Sequence, residues 1–200
     1  LQRENVWENT ILIVTGDHGE ALHDRGHYGH PRHYPYDELL HVPLIVRTPG
    51  KGSGRISHPM SLAWLGELLA DVTDLPRPSF PAESGRESHM ETNPDDRSQV
   101  VSDALDAHGH SVVVRDEKYK YITRELSDSA NTEVIYTLPD GGFHVLTDRG
   151  ERHVLEPGEI PQSLCEKAHS ITTSPGELDH IEGSFSPKVT RRLEELGYKM

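Results

Sequence analysis

Two hundred residues allow one domain or part of a larger one, and only 34% of them are hydrophobic. A formal net charge of −13, from 33 acidic against 20 basic residues, argues against a nucleic-acid phosphate partner, which needs basic surface. The single cysteine, Cys165, excludes an intrachain disulfide and a Cys-x-x-Cys metal site, and no apolar stretch approaches the roughly 18 residues of a membrane span.

In chain order, Leu1 to Trp7 reads as the end of a helix, and Asn9-Thr10 as a link into a strand over Ile11 to Thr15. A short run of branched apolar residues bounded by glycine is the pattern of a strand buried on both faces, as in a parallel sheet. Such a strand needs paired neighbours on both edges. Only one further candidate, Leu44 to Arg47, lies nearby. Leu1 is not an initiator Met, and the expectation is that the remaining strands precede it in a longer polypeptide.

Between these strands, Ala21 to Pro35 is a loop dense in His, Arg and Gly, and Asp37 to His41 reads as a helical turn stopped by Pro43. Thr48 to Gly54 is a turn-rich connection. Leu62, Leu65, Leu68 and Leu69 fall on one face of a helix expected over Ser61 to Ala70. Leu75 to Arg97, rich in Pro, Ser, Glu and Asp, reads as a surface linker. Strands then return at Gln99 to Leu105, Ser111 to Arg115, Lys120 to Thr123 and Glu133 to Thr137, with Asp116-Glu117 as a hairpin turn. Phe143 to Leu146 is a candidate extension of that sheet. The rest of Pro139 to Pro187 is polar and Gly-rich, with no element expected. Val189 to Leu196 patterns as an amphipathic terminal helix, with Pro187 near its start and Gly197 at its end.

The chemistry concentrates at the end of the first strand. In open α/β sheets ligands bind beyond the carboxyl ends of the strands, where Gly16-Asp17-His18-Gly19 falls. The glycines let the backbone turn sharply and approach an ion or anion. An adjacent carboxylate and imidazole suit a divalent metal of intermediate character, or Ca²⁺ if further carboxylates join. The blander account makes Asp17 a turn former and His18 a surface residue.

Three blocks decide between these accounts: Thr15-Gly16-Asp17-His18-Gly19-Glu20, Gly26-His27-Tyr28-Gly29-His30-Pro31, and Tyr36-Asp37-Glu38-Leu39-Leu40-His41-Val42-Pro43-Leu44-Ile45. In this order and at these distances they resemble the C-terminal half of a sulfatase, of the alkaline phosphatase superfamily. The resemblance is strong over Trp7 to Pro49 and weaker from Gln99 to Ile122. It implies an α/β fold, with residues 1–74 the C-terminal part of a doubly wound sheet sandwich. Residues 75–98 would be the linker, and 99–200 a small C-terminal antiparallel sheet subdomain with a terminal helix.

The resemblance further implies that Asp17 and His18 are metal ligands. The metal would most plainly be Ca²⁺, with Mn²⁺ or Zn²⁺ as alternatives. His30 stands where many sulfatases carry Lys and others His, and is implied to contact the sulfate and assist the leaving oxygen; imidazole titrates near neutrality and can serve as the acid. The family's nucleophile is a formylglycine made from Cys or Ser in a Cys-x-Pro-x-Arg setting. Cys165, in Ser-Leu-Cys-Glu-Lys, does not match it, so the nucleophile is expected upstream and the chain alone is expected to be inactive.

The remaining candidates have plainer readings. Arg25 replaces a His common in the family. His23, His27 and His33 read as exposed loop residues, one of which could line the substrate mouth, and His41 as structural. Glu20 reads as a loop-holding group, and Asp37 and Glu38 as caps of the helical turn. A substrate contact by Lys118 or Lys120 is outweighed by simple alternation on a half-exposed strand. The leading function is therefore a metal-dependent sulfuric ester hydrolase acting on a sulfated small molecule or glycan. Alternatives are a phosphonate or phosphate ester hydrolase of the same superfamily, a non-catalytic truncated remnant, and a histidine-cluster zinc domain, which the lack of a nearby Cys disfavours. Compartment (cytoplasmic or exported) and oligomeric state are not legible in the sequence.

Overall fold

The computed structural model describes residues 3–4, 6–31, 33–73, 98–106, 109–126 and 140–172. The expected linker (75–97), the strand at Glu133 to Thr137 and the terminal helix at Val189 to Leu196 lie outside the described residues.

Among the described residues there are three antiparallel sheets. The first pairs β1 (Leu12–Thr15) with β4 (Leu44–Arg47), Val14 opposite Ile45. The chain enters β1 through a 3-10 turn at Trp7–Asn9. Arg47 ties that entry down, donating to the carbonyls of Trp7 (2.8 Å) and Thr10 (2.7 Å) while its guanidinium lies 3.9 Å over the Trp7 ring. The expectation that β1 is buried on both faces is not met. Val14 is 46% and Ile45 60% exposed, because among the described residues no third strand pairs with either.

The second sheet is a short ribbon within the His-rich loop, β2 (Ala21–Leu22) against β3 (Tyr28–Gly29). Gly29 takes a left-handed φ of +91° as the chain leaves it, a backbone that glycine adopts without penalty. The turn α1 (Asp37–Leu40) follows, ending before Pro43 as expected. Farther on, Ser61 caps a 3-10 turn at Leu62–Trp64 by accepting from the Ala63 amide, and this runs into the half-buried α2 (Leu65–Val72).

The third sheet is four-stranded, in the order β5 (Val100–Asp106), β6 (Gly109–Arg115), β7 (Tyr119–Leu126) and β8 (Gly141–His144). The expected turn is there: Asp116 Oδ1 accepts from the amides of Lys118 and Tyr119, both at 2.7 Å. The pleat sends alternate residues of β6 to opposite faces, and both faces are covered. Val112 and Val114 pack on Leu164, Ala168 and Ile171 of α3 (Gln162–Ile171). Val113, with Ile122 and Phe143, packs on Ala21, Tyr34, Tyr36 and Leu39 from the loop and α1.

Two findings go beyond the sequence reading. Helix α3 was not expected. Its Leu164, Ala168 and Ile171 recur at helical spacing, but polar residues between them mask the stripe. More important for function, the second core joins residues 21–39 to residues 113–143.

Candidate active site

The site hangs from the end of β1. Asp17 is exposed, and its Oδ1 accepts from the His18 amide at 3.0 Å. That bond, together with Asp17's own amide and the neighbouring imidazole, holds the carboxyl below the usual carboxylate range. Asp17 is thus an ionised, accessible oxygen donor. His18 Nδ1 lies 2.7 Å from the Gly19 carbonyl. A ring nitrogen engaged by a backbone carbonyl fixes the tautomer and leaves Nε2 as the electron-pair donor, the arrangement seen at metal-ligating histidines.

His30 is brought to the same place by the ribbon. Pairing Ala21 with Gly29 sets Glu20 beside His30, with Glu20 Oε1 3.6 Å from His30 Nδ1. The His30 and His18 rings lie 4.8 Å apart between centroids, tilted by 36°. Asp17, His18 and His30, singled out from sequence, therefore share one exposed patch, and Glu20 joins them. The Glu20–His30 pairing was missed in the sequence; only the register of a two-residue ribbon carries it.

The donor set fits a divalent cation in kind: one carboxylate and one imidazole, both open. It is not a full coordination sphere, since among the described residues no group of three or more His, Cys, Asp or Glu side chains is placed to hold a metal.

The rest of the loop is less exposed than its composition suggests. His27 and His33, expected at the surface, are buried. His27 packs edge-on against Tyr34, and His33 Nδ1 lies 2.8 Å from Ser111 Oγ on β6. Their aromatic neighbours and the second core account for the difference. His23 packs at a tilt of 51° against the exposed Tyr28, and His41 is exposed 3.9 Å from Asp37.

Behind the patch lies a charged cluster. Lys120, fully buried, reaches Asp37 Oδ1 at 2.9 Å and Glu151 Oε1 at 2.5 Å. Arg115 also pairs with Asp37, and Glu151 Oε2 accepts the Asp37 amide at 2.9 Å. Burial works to raise the Asp37 pKa, but the charges of Lys120 and Arg115 outweigh it and hold the carboxyl below its usual range. Burial pushes Glu151 up, and Lys120 offsets this only in part. Arg25 bonds Glu38 and the Gly150 carbonyl and lies 3.9 Å over Tyr36, whose hydroxyl burial pushes up to about 12. The Asp37-Glu38 pair is thus gripped by cations from three segments instead of simply capping a turn. Lys118 lines a groove of about 550 Å³ with His58, Asp116 and Tyr119, which includes neither Asp17, His18 nor His30. Burial and the adjacent Glu166 raise the Cys165 thiol, the opposite of what a nucleophile needs.

The sulfatase family model matches residues 1–75. Arylsulfatase K of Canis lupus familiaris is 32% identical over 80 residues, covering 39% of this chain and 14% of that protein. An ulvan-active sulfatase of Formosa agariphila is 28% identical over 130 residues, covering 61% and 20%. The solved structure of a 2-O GAG sulfatase superposes with a TM-score of 0.52 at 21% identity, over 82% of this chain and 35% of that one. The chain thus shares a mixed α/β fold with a small antiparallel sheet with that structure, and residues 1–75 resemble the sulfatase family. The chain spans 14% and 20% of the two curated relatives. Among the described residues no helix is long and apolar enough to cross a membrane.

Proposed function

We propose that this chain is the C-terminal portion of a metal-dependent sulfatase, supplying part of the metal site and a proton donor for cleavage of a sulfate ester. The observation that carries the reading is the convergence of Asp17, His18 and His30 on one exposed patch within the segment that matches the family.

Asp17 and His18 would hold the cation, Ca²⁺ by the family resemblance, with Mn²⁺ or Zn²⁺ better suited to an imidazole ligand. Such a cation neutralises charge on the sulfate and lowers the pKa of an attacking oxygen. The chain's own chemistry is at His30. With Nδ1 toward Glu20, the ring would direct Nε2 at the ester oxygen and donate a proton from it. As the S–O bond breaks, that proton passes to the leaving oxygen, which departs as a neutral alcohol. The nucleophile, expected as formylglycine, would come from a preceding segment. Support for a longer polypeptide lies in the uncovered apolar face of β1 and β4, of the kind sheets bury against further structure. A sulfated glycan is the substrate class suggested by the relatives' names.

The test compares turnover of an aryl sulfate, a phosphate diester and a phosphonate monoester by the natural polypeptide that contains this chain. The sulfate should be preferred, and the 200-residue chain by itself should turn over none of them. Preference for the phosphonate or diester would move the assignment to the sister activity. Turnover by the isolated chain that Asp17→Ala abolishes would overturn the upstream nucleophile.

A further inference from the structure

We propose that Lys120, on the small C-terminal sheet, is a positioning residue for the Asp17–His18 loop, acting through α1. The functional consequence rests on the reading of Asp17 and His18 given above; the mechanical coupling does not.

The coupling is a continuous series of short contacts. Lys120 is fully buried on β7 and holds Asp37 Oδ1 at 2.9 Å. Glu151, also bound by Lys120, takes the Asp37 backbone amide at 2.9 Å. The first residue of α1 is thereby fixed by its side chain and by its backbone. Two residues on, the Leu39 carbonyl accepts the Gly19 amide at 2.8 Å. The backbones touch there so closely that a Cβ on Gly19 would lie 1.9 Å from the Glu38 carbonyl oxygen. Gly19 directly follows the ligand pair, and its own carbonyl holds the His18 ring. A shift of α1 must therefore move the groups that orient His18.

A four-residue helix cannot hold such a position alone, since helices this short are unstable without tertiary contacts. A fully buried ammonium between two carboxylates is a costly way to secure ordinary stability, because well-packed apolar groups do as well or better. What it adds is a defined geometry, and here that geometry leads to the site. It also gives the small sheet a role beyond packing, as the rigid base that holds a ligand loop in register.

The test uses the 200-residue chain and needs neither metal nor turnover, so it is independent of whether the longer protein is a sulfatase. Lys120→Met is compared with Leu164→Ala, which opens a cavity on the opposite face of β6. Amide hydrogen exchange is read at Gly19 and Val112, and the ring resonances of His18 and His30 by NMR. Lys120→Met should speed Gly19 exchange by at least about tenfold relative to Val112 and shift both histidine rings. Leu164→Ala should speed Val112 and leave the rings in place. If Lys120→Met does not fold, the near-isosteric Asp37→Asn is read in the same way. Unchanged Gly19 exchange and ring signals in the variant, or the same changes in Leu164→Ala at equal loss of Tm, would overturn the proposal.

Discussion

Two strands of almost the same composition have opposite fates in this molecule. Leu12-Ile13-Val14-Thr15 of β1 and Val112-Val113-Val114 of β6 are both branched apolar runs, yet Val14 is 46% exposed and Val112 and Val114 are fully buried. The difference lies in their neighbours. β6 is flanked by β5 and β7, with α3 on one face and the loop and α1 on the other. Among the described residues β1 has one partner, β4. A β-branched run specifies extended backbone, while burial depends on what the topology brings to each edge and face. The candidate site sits at the junction of these regions: Asp17 and His18 follow the exposed β1, and their supporting loop is rooted in the buried sheet.

The sharpest way to break the comparison is to remove a large side chain from each region. Phe143→Ala, in the core shared with Tyr36 and Ile122, should cost about 3–5 kcal/mol in urea or thermal unfolding. Added volume should follow. A Cβ on Gly142 would lie 2.1 Å from Ile160 Cδ1, so Gly142→Ala should cost about 1–3 kcal/mol by overpacking. Gly19→Ala meets backbone instead of a flexible side chain and should chiefly disrupt the site, seen as loss of Gly19 amide protection.

The charged cluster predicts a pH profile. Asp37 is depressed from 3.8, so its stabilisation is fully present above that value and is lost as pH falls through its folded value. Glu151 is raised from 4.5, so it opposes folding at neutral pH, and that penalty is relieved as pH falls toward 4.5. Unfolding midpoints should rise slightly on mild acidification and then drop. Glu151→Gln should remove the rise and Asp37→Asn should flatten the drop; an unaltered profile in both would count against the cluster. The smallest effect belongs to the β1–β4 pair: Val14→Ala should change the stability of this chain by no more than about 0.5 kcal/mol, and a multi-kcal loss would show that β1 is better covered than its exposure indicates.

Much of the architecture was legible. The strands at β1, β4, β6 and β7 and the Ser61-capped helix follow from period and punctuation, and the candidate pair Asp17-His18 stands out as a glycine-flanked Asp-His at a strand end. What was not legible depends on contacts distant in sequence. Arg25 reads as a missing histidine until Glu38 and Gly150 are seen around it. Lys120 reads as one half of an alternating strand, because neither Asp37 nor Glu151 is near it in the chain. Burial of His27 and His33 likewise depends on a sheet that begins some seventy residues later.

The central claim is that Asp17 and His30 act on a sulfate ester. The direct measurement is kcat/KM for an aryl sulfate in the natural polypeptide containing this chain, with Asp17→Ala and His30→Ala each shown to be folded by circular dichroism. The account predicts losses of about 10²–10³-fold or more for Asp17→Ala and about 10²–10⁴-fold for His30→Ala. A rate that stays within about twofold of the parent in either variant would contradict the role assigned to that residue.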